Sequence, residues 1–150
     1  MSINIMRVKF IAVMLIVSIS ISISAKAKDK NYGNATVSEI TSIYDGDTFR
    51  ANIKGYPAIV GEHMSIRING IDTPELRGKC DKEKQLARLA KQFTVEHLRA
   101  AKSISLKNVK RGKYFRLIAD VYVDGVSLGE LLIKNKHAIK YGGGTKVNWC

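Results

Sequence analysis

Apolar residues in this chain recur at every second position, then at every third or fourth, then at every second again, an order that few architectures accommodate. Period two over residues 35–44, 48–53 and 64–69 predicts three strands, with Gly55, Pro57 and Gly61 marking the connection between the last two. Between 82 and 101 the apolar positions Leu86, Leu89, Ala90, Phe93, His97 and Leu98 recur at three and four. That stretch predicts an amphipathic helix with Lys84, Arg88, Lys91 and Arg99 on its wet side and a partly buried, structural His97. Residues 103–109 and 115–123 predict two more strands, Asp124-Gly125 the turn after them, and 127–135 a short helix burying Leu128, Leu131 and Leu132. Lys134, Lys136 and Lys140 gather at its exit, where cations suit a helix end. The chain therefore reads as mainly β with helices.

Ahead of these elements, Arg7 and Lys9 precede an apolar run from Phe10 to Ile23, and Ala25-Lys26-Ala27 supplies the small residues of a cleavage site. This is the layout of a secretory signal peptide. The run is short for a membrane span of about 20 residues and is diluted by serine, so cleavage rather than retention as an anchor is the expectation. No cysteine follows it, which leaves the lipoprotein form unsupported. Residues 1–27 are assigned to export, into a periplasm or out of the cell, and 28–150 to one domain with a short flexible lead-in over 28–34. Without Arg7, Lys9 and Lys26 the 25 basic residues become 22, against 13 acidic ones, a net charge near +9. Such a field concentrates polyanions, and it suits nucleic acid, anionic membranes and cell-wall polymers alike.

Three segments carry chemistry. Arg67-Ile68-Asn69-Gly70-Ile71-Asp72-Thr73-Pro74-Glu75 sets a guanidinium on a strand and two carboxylates just beyond its end, either a reactive site or a solvated ion pair. Asp45-Gly46-Asp47 lies between two apolar runs; it is a hairpin signal first, and its two carboxylates also suit a hard cation. Arg111-Gly112-Lys113-Tyr114-Phe115-Arg116 interleaves cations with aromatics, which suits phosphate contact with base stacking, or else a solvated approach to a strand.

The order Asp-Gly-Asp-Thr, Arg-x-x-x-x-Asp-Thr-Pro-Glu, Lys-Tyr-x-Arg resembles the staphylococcal nuclease (thermonuclease) family from about residue 35 to about residue 141. The resemblance implies an OB-fold five-stranded barrel with two or three packed helices, and a Ca²⁺-dependent phosphodiesterase that cuts DNA and RNA. By the same matching, Asp47, Asp72 and the Thr73 carbonyl would hold calcium, and Glu75 would be the general base. Arg67 and Arg116 would bind phosphate, and Lys113 and Tyr114 would contact substrate. The implied cut breaks the 5′ P–O bond and leaves 3′-phosphate ends. An OB-type groove with Tyr114 suits unstacked bases, so single strands are favoured, with no sequence preference and no stable protein partner: a monomer. The chain departs from the family pattern at Phe115, often Gly, in a longer segment over 54–64, and in a tail over 142–150 unlike the family's long helix.

Cys80 and Cys150 are expected to pair in an oxidising compartment, tying the tail to the loop just after Glu75. Zinc is disfavoured, because His63, His97 and His137 are scattered without ligand spacing. Two other readings stay open: a non-catalytic nucleic-acid-binding OB module, and a basic envelope protein.

Overall fold

In the computed structural model, which describes residues 30–150, the first three period-two runs form β1 (Ala35–Ile43), β2 (Thr48–Ile53) and β3 (Met64–Ile68). The expected signal segment lies outside the described residues. β1, β2 and β3 pair antiparallel in that order, and a two-residue β4 (Ile71–Asp72) follows the turn at Asn69-Gly70. Beyond the long helix α2 (Asp81–Ala100), β5 (Ile104–Arg111) pairs with β1 and with β6 (Leu117–Val123). β6 then runs parallel to β3, with Ile66 opposite Leu117 and Ile68 opposite Ala119. This pairing closes a mixed five-stranded barrel and removes the edges that β3 and β6 would otherwise leave open. The OB-type barrel with helices packed on it is thus the observed architecture.

Alternation explains the core. Phe49, Ala51 and Ile53 of β2, Met64, Ile66 and Ile68 of β3, and Leu117, Ala119, Val121 and Val123 of β6 all point inward and are buried. Leu98 of α2, together with Leu128 and Leu132 of α3 (Leu128–Lys134), joins the same cluster. Each large apolar side chain buried this way contributes about 1.5–3 kcal/mol relative to exposure. Both helices are capped by side chains: Cys80 sulfur accepts from the Glu83 amide at 3.4 Å and Ser127 Oγ from the Glu130 amide at 3.3 Å. Among the described residues no helix is long and apolar enough to cross a membrane.

Three details differ from the sequence reading. The buried face of α2 is Glu83, Ala87, Ala90, Thr94 and Leu98, while Leu89 is 52% exposed. The physical reason is the surface it meets: the β1–β2 turn is close and polar, so it accepts alanine and a hydrogen-bonding threonine where a leucine stripe was expected. The lead-in is also anchored, since Tyr32 N donates to Val109 O at 2.7 Å and Val109 N to Gly33 O at 2.9 Å. Finally, the connection over 54–63 carries one helical turn, α1 (Ala58–Gly61), started by Pro57, whose fixed φ suits a helix start. Two further short strands escape any periodicity argument: β7 (Val126–Ser127), which pairs with β6, and β8 (Ile139–Lys140), which pairs with β4. His97 is structural as expected, its ring stacked on Phe93 at 4.1 Å and its Nδ1 2.8 Å from the Phe93 carbonyl.

Candidate active site

The β1–β2 connection is a turn whose amides at Tyr44 and Asp45 both donate to Thr48 O, at 2.9 and 3.2 Å. Inside it the Asp45 carboxylate accepts the Asp47 amide at 3.2 Å, which orients Asp47 toward β3. Thr48 is the cross-strand partner of Arg67, so register alone sets the guanidinium beside the turn. Arg67 Nη1 donates to Asp47 Oδ1 at 2.7 Å, and its Nη2 donates to Asp72 Oδ1 at 3.1 Å. One arginine therefore bridges two carboxylates, one from the β1–β2 turn and one from β4. Asp72 is fixed by β4, where it pairs with Ile139, and Thr73 follows it into the interior.

Asp45, Asp47, Asp72 and Thr73 are each no more than 5% exposed. Burial pushes the Asp47 carboxyl above its usual range, against the pull of the Arg67 charge and the Thr48 hydroxyl. Asp45 is pushed up to about 7, first by burial and then by the charge of Asp47. Asp72 Oδ2 is buried with no hydrogen-bond partner, an acceptor left over after Arg67 is satisfied.

The loop after Thr73 is held by Glu83, a buried carboxylate that accepts the Glu75 amide at 3.3 Å and the Lys79 amide at 2.9 Å. Glu75 itself is half-exposed at the rim and its Oε1 is bound by Lys146 Nζ, which also lies 3.1 Å from Asp72 Oδ1. Partial burial works against the Lys146 ammonium, but its hydrogen bonds to Glu75 and Asp72 outweigh that and hold its pKa above the ordinary lysine value. Cys80 and Cys150 are bonded, as expected, with their Cα atoms 5.9 Å apart.

Arg116, Tyr114 and Lys113 sit on the β5–β6 loop. Arg116 lines a groove of about 530 Å³ with Tyr44, Arg50, Lys91 and Leu76, the neighbour of Glu75. Its Nε is buried without a partner. Tyr114 and Phe115 both take left-handed backbone, at φ 56°, and both rings face solvent, Phe115 under the Arg111 guanidinium at 4.4 Å. That conformation is strained for aromatic residues and persists where a loop is held in shape. Among the described residues no hydrogen bond or ion pair joins Arg116, Tyr114 or Lys113 to the carboxylates. The structure thus gathers Asp47, Arg67, Asp72, Thr73 and Glu75, sets Arg116 in the adjoining groove, and leaves Lys113 and Tyr114 on the exposed part of the β5–β6 loop.

Arg67 and Lys146 stand between the carboxylates, and among the described residues no three His, Cys, Asp or Glu side chains converge as a metal cage. The donors are nonetheless of the kind a hard cation takes: carboxylate oxygens, among them the orphaned Asp72 Oδ2. Sequence reasoning missed Glu83, Thr94 and Lys146. Glu83 had a signal, an acidic residue three positions after a helix cap. Lys146, in a tail without periodicity, had none.

The family model described as Staphylococcal nuclease homologue matches residues 65–146, from β3 through Lys146. An uncharacterized protein of Bacillus anthracis is 29% identical over 104 residues, covering 67% of this chain. The chain spans about half the length of that curated relative, 45%.

Proposed function

This chain belongs to the staphylococcal nuclease homologue family, and on that premise we propose that it is a calcium-dependent endonuclease, an exported monomer that hydrolyses DNA and RNA without sequence preference and favours single strands. The observation that carries the reading is the pair of buried carboxylates bridged by Arg67, with a half-exposed Glu75 on the adjacent rim. A purely structural ion pair rarely needs two buried aspartates, a third aspartate pushed up to about 7 and an unpartnered carboxylate oxygen together.

Asp47, Asp72 and the Thr73 carbonyl would hold the calcium ion, which when bound supplies neutralisation of phosphate charge and a docking point for water. Glu75 takes a proton from the water that attacks phosphorus. The bond to the 5′ oxygen breaks as the new P–O bond forms, the 5′ oxygen acquires a proton, and a 3′-phosphate end remains. Arg67 and Arg116 meet the non-bridging oxygens, where planar guanidinium groups gain most as charge builds. Tyr114, and with it Lys113, holds the neighbouring nucleotide by stacking and charge. The Cys80–Cys150 bridge supports export, since such bonds persist in oxidising compartments.

A second reading, a non-catalytic nucleic-acid-binding module, draws on one observation: Glu75 is engaged by Lys146 rather than free. Digestion of plasmid DNA and RNA with Ca²⁺ or with a chelator, beside Glu75→Gln, separates the two. The expected outcome is calcium-dependent cleavage that falls by about 10²–10⁴-fold in Glu75→Gln. Retained binding without cleavage in calcium would establish the module instead.

A further inference from the structure

The tail returns to the site it follows. Tyr141 Oη donates to Gly144 O at 2.7 Å, and Gly143 and Gly144 adopt φ near 98° and 97°, which turns the chain back toward β4. Lys146 then reaches between Asp72 and Glu75. Four residues later Cys150 is fixed three ways: by its bond to Cys80, by Lys82 Nζ donating to its carbonyl at 3.3 Å, and by Asn148 Oδ1 accepting its amide at 3.1 Å. Cys80 is the cap of α2 and lies five residues past Glu75, so the arch is tied at its far end to the loop that carries Glu75 and at its near end to the turn before β4, where Tyr141 N donates to Gly70 O at 2.9 Å. A lysine on a free tail would visit the carboxylates only part of the time, whereas a lysine on a closed arch faces them at high effective concentration.

We propose that Lys146 is a built-in counter-ion for Asp72 and Glu75, and that the Cys80–Cys150 bridge, by holding the arch closed, sets how strongly it competes with a divalent cation for those carboxylates. The inference rests on the reading of Asp47 and Asp72 as a cation site. Its physical content is a substitution of charge. With no metal bound, Asp72 would face water-poor surroundings with Arg67 alone, already shared with Asp47; the ammonium supplies the missing cation. A divalent ion arriving at Asp72 must displace that ammonium or sit beside a like charge, and either lowers its affinity. Opening the bridge lengthens the arch and weakens the competitor.

Calorimetric titration of Ca²⁺ into the protein, without nucleic acid, tests this. Lys146→Met is expected to bind calcium about tenfold more tightly than the wild type, and Lys146→Arg to retain wild-type affinity. The pair Cys80→Ser/Cys150→Ser should shift in the same direction by less, and combining it with Lys146→Met should add nothing, since both act through one side chain. Should the serine pair fail to fold, as judged by circular dichroism, the wild type reduced with dithiothreitol replaces it. In that step the reagent gives up two electrons and two protons and becomes a cyclic disulfide, and the bridge becomes two thiols. Equal or weaker calcium binding by Lys146→Met, beside measurable wild-type binding, overturns the counter-ion while leaving the calcium site standing. An unchanged affinity on opening the bridge overturns the role of the arch. Absence of binding in every variant overturns the calcium reading itself and the inference with it. Unchanged affinity with cleavage lost at saturating calcium would move Lys146 to the phosphate and also overturn it.

Discussion

Two Asp-Gly turns in this molecule carry the same local signal and end in opposite physical states. Asp124-Gly125 joins β6 to β7 with φ of 48° and 85°, the left-handed pair that a two-residue hairpin requires. Asp124 is exposed, and its carboxylate accepts the amides of Lys102 and Ser103 at 3.0 and 2.8 Å, which lowers its pKa. Asp45-Gly46 joins β1 to β2 without left-handed backbone and is buried under α2, where Thr94 Oγ1 donates to the Gly46 carbonyl at 2.6 Å. The glycines differ as well. Gly125 is there for its conformation, with open space around it, whereas a Cβ on Gly46 would stand 2.8 Å from Ala90 Cβ and 3.0 Å from Thr73 Cγ2. The same dipeptide is in one place an exposed cap and in the other a buried, desolvated carboxyl, and only the second is held next to a candidate catalytic group.

The contrast can be broken most forcefully at Arg67. Arg67→Met leaves Asp47 and Asp72 buried without their shared cation and is expected to cost about 3–5 kcal/mol in urea unfolding, with cleavage lost; Ser103→Ala, beside the other turn, should stay within about 0.5 kcal/mol. Next come the glycines. Gly46→Ala should cost about 1–3 kcal/mol by overpacking against α2 and lower cleavage by shifting Asp47 and Thr73. Gly125→Ala should cost about 1–2 kcal/mol from left-handed strain and leave cleavage intact. Equal effects on activity would dissolve the distinction between the turns.

The smallest effect is in pH and differs in sign. Asp45 in the folded, metal-free protein titrates near 7 against 3.8 unfolded, so the folded state holds the extra proton between those values and its contribution to stability falls as pH rises through that window. Asp124 is lowered when folded; its contribution is present above the unfolded value of 3.8 and is lost as pH falls through the folded pKa. Thermal melts in a chelator should therefore show Asp45→Asn gaining stability relative to wild type as pH rises from about 4 to 7, and Asp124→Asn losing its difference from wild type only in strong acid. Parallel curves for the two variants would contradict the assigned environments.

Much of this was legible in the residues. Period two located β1, β2, β3, β5 and β6 to within a few positions, because each strand has one face in the barrel and alternation records that face directly. The carboxylates and Arg67 were legible as a set because strand register and a Pro-terminated turn confine them to one end of the barrel. The buried face of α2 was not, since its apolar stripe is outvoted by the hydrogen bond from Thr94 and the close approach of Gly46. β4 and β8 are two residues each, too short for any periodicity to register.

By itself the amino-acid sequence determined which chemistry the chain carries: an alternating β framework, a basic domain, and a short list of acids and arginines in a telling order. Only the tertiary structure decided which of two Asp-Gly turns was buried beside Arg67, which oxygen of Asp72 was left without a partner, and that Lys146, 71 residues from Glu75, is its nearest cation. Those outcomes depend on burial and on contacts between distant segments. Local patterns encode periodicity and turn chemistry, whereas the desolvation of a charge and the identity of its partner exist only once the barrel has closed and the bridge has brought the tail home.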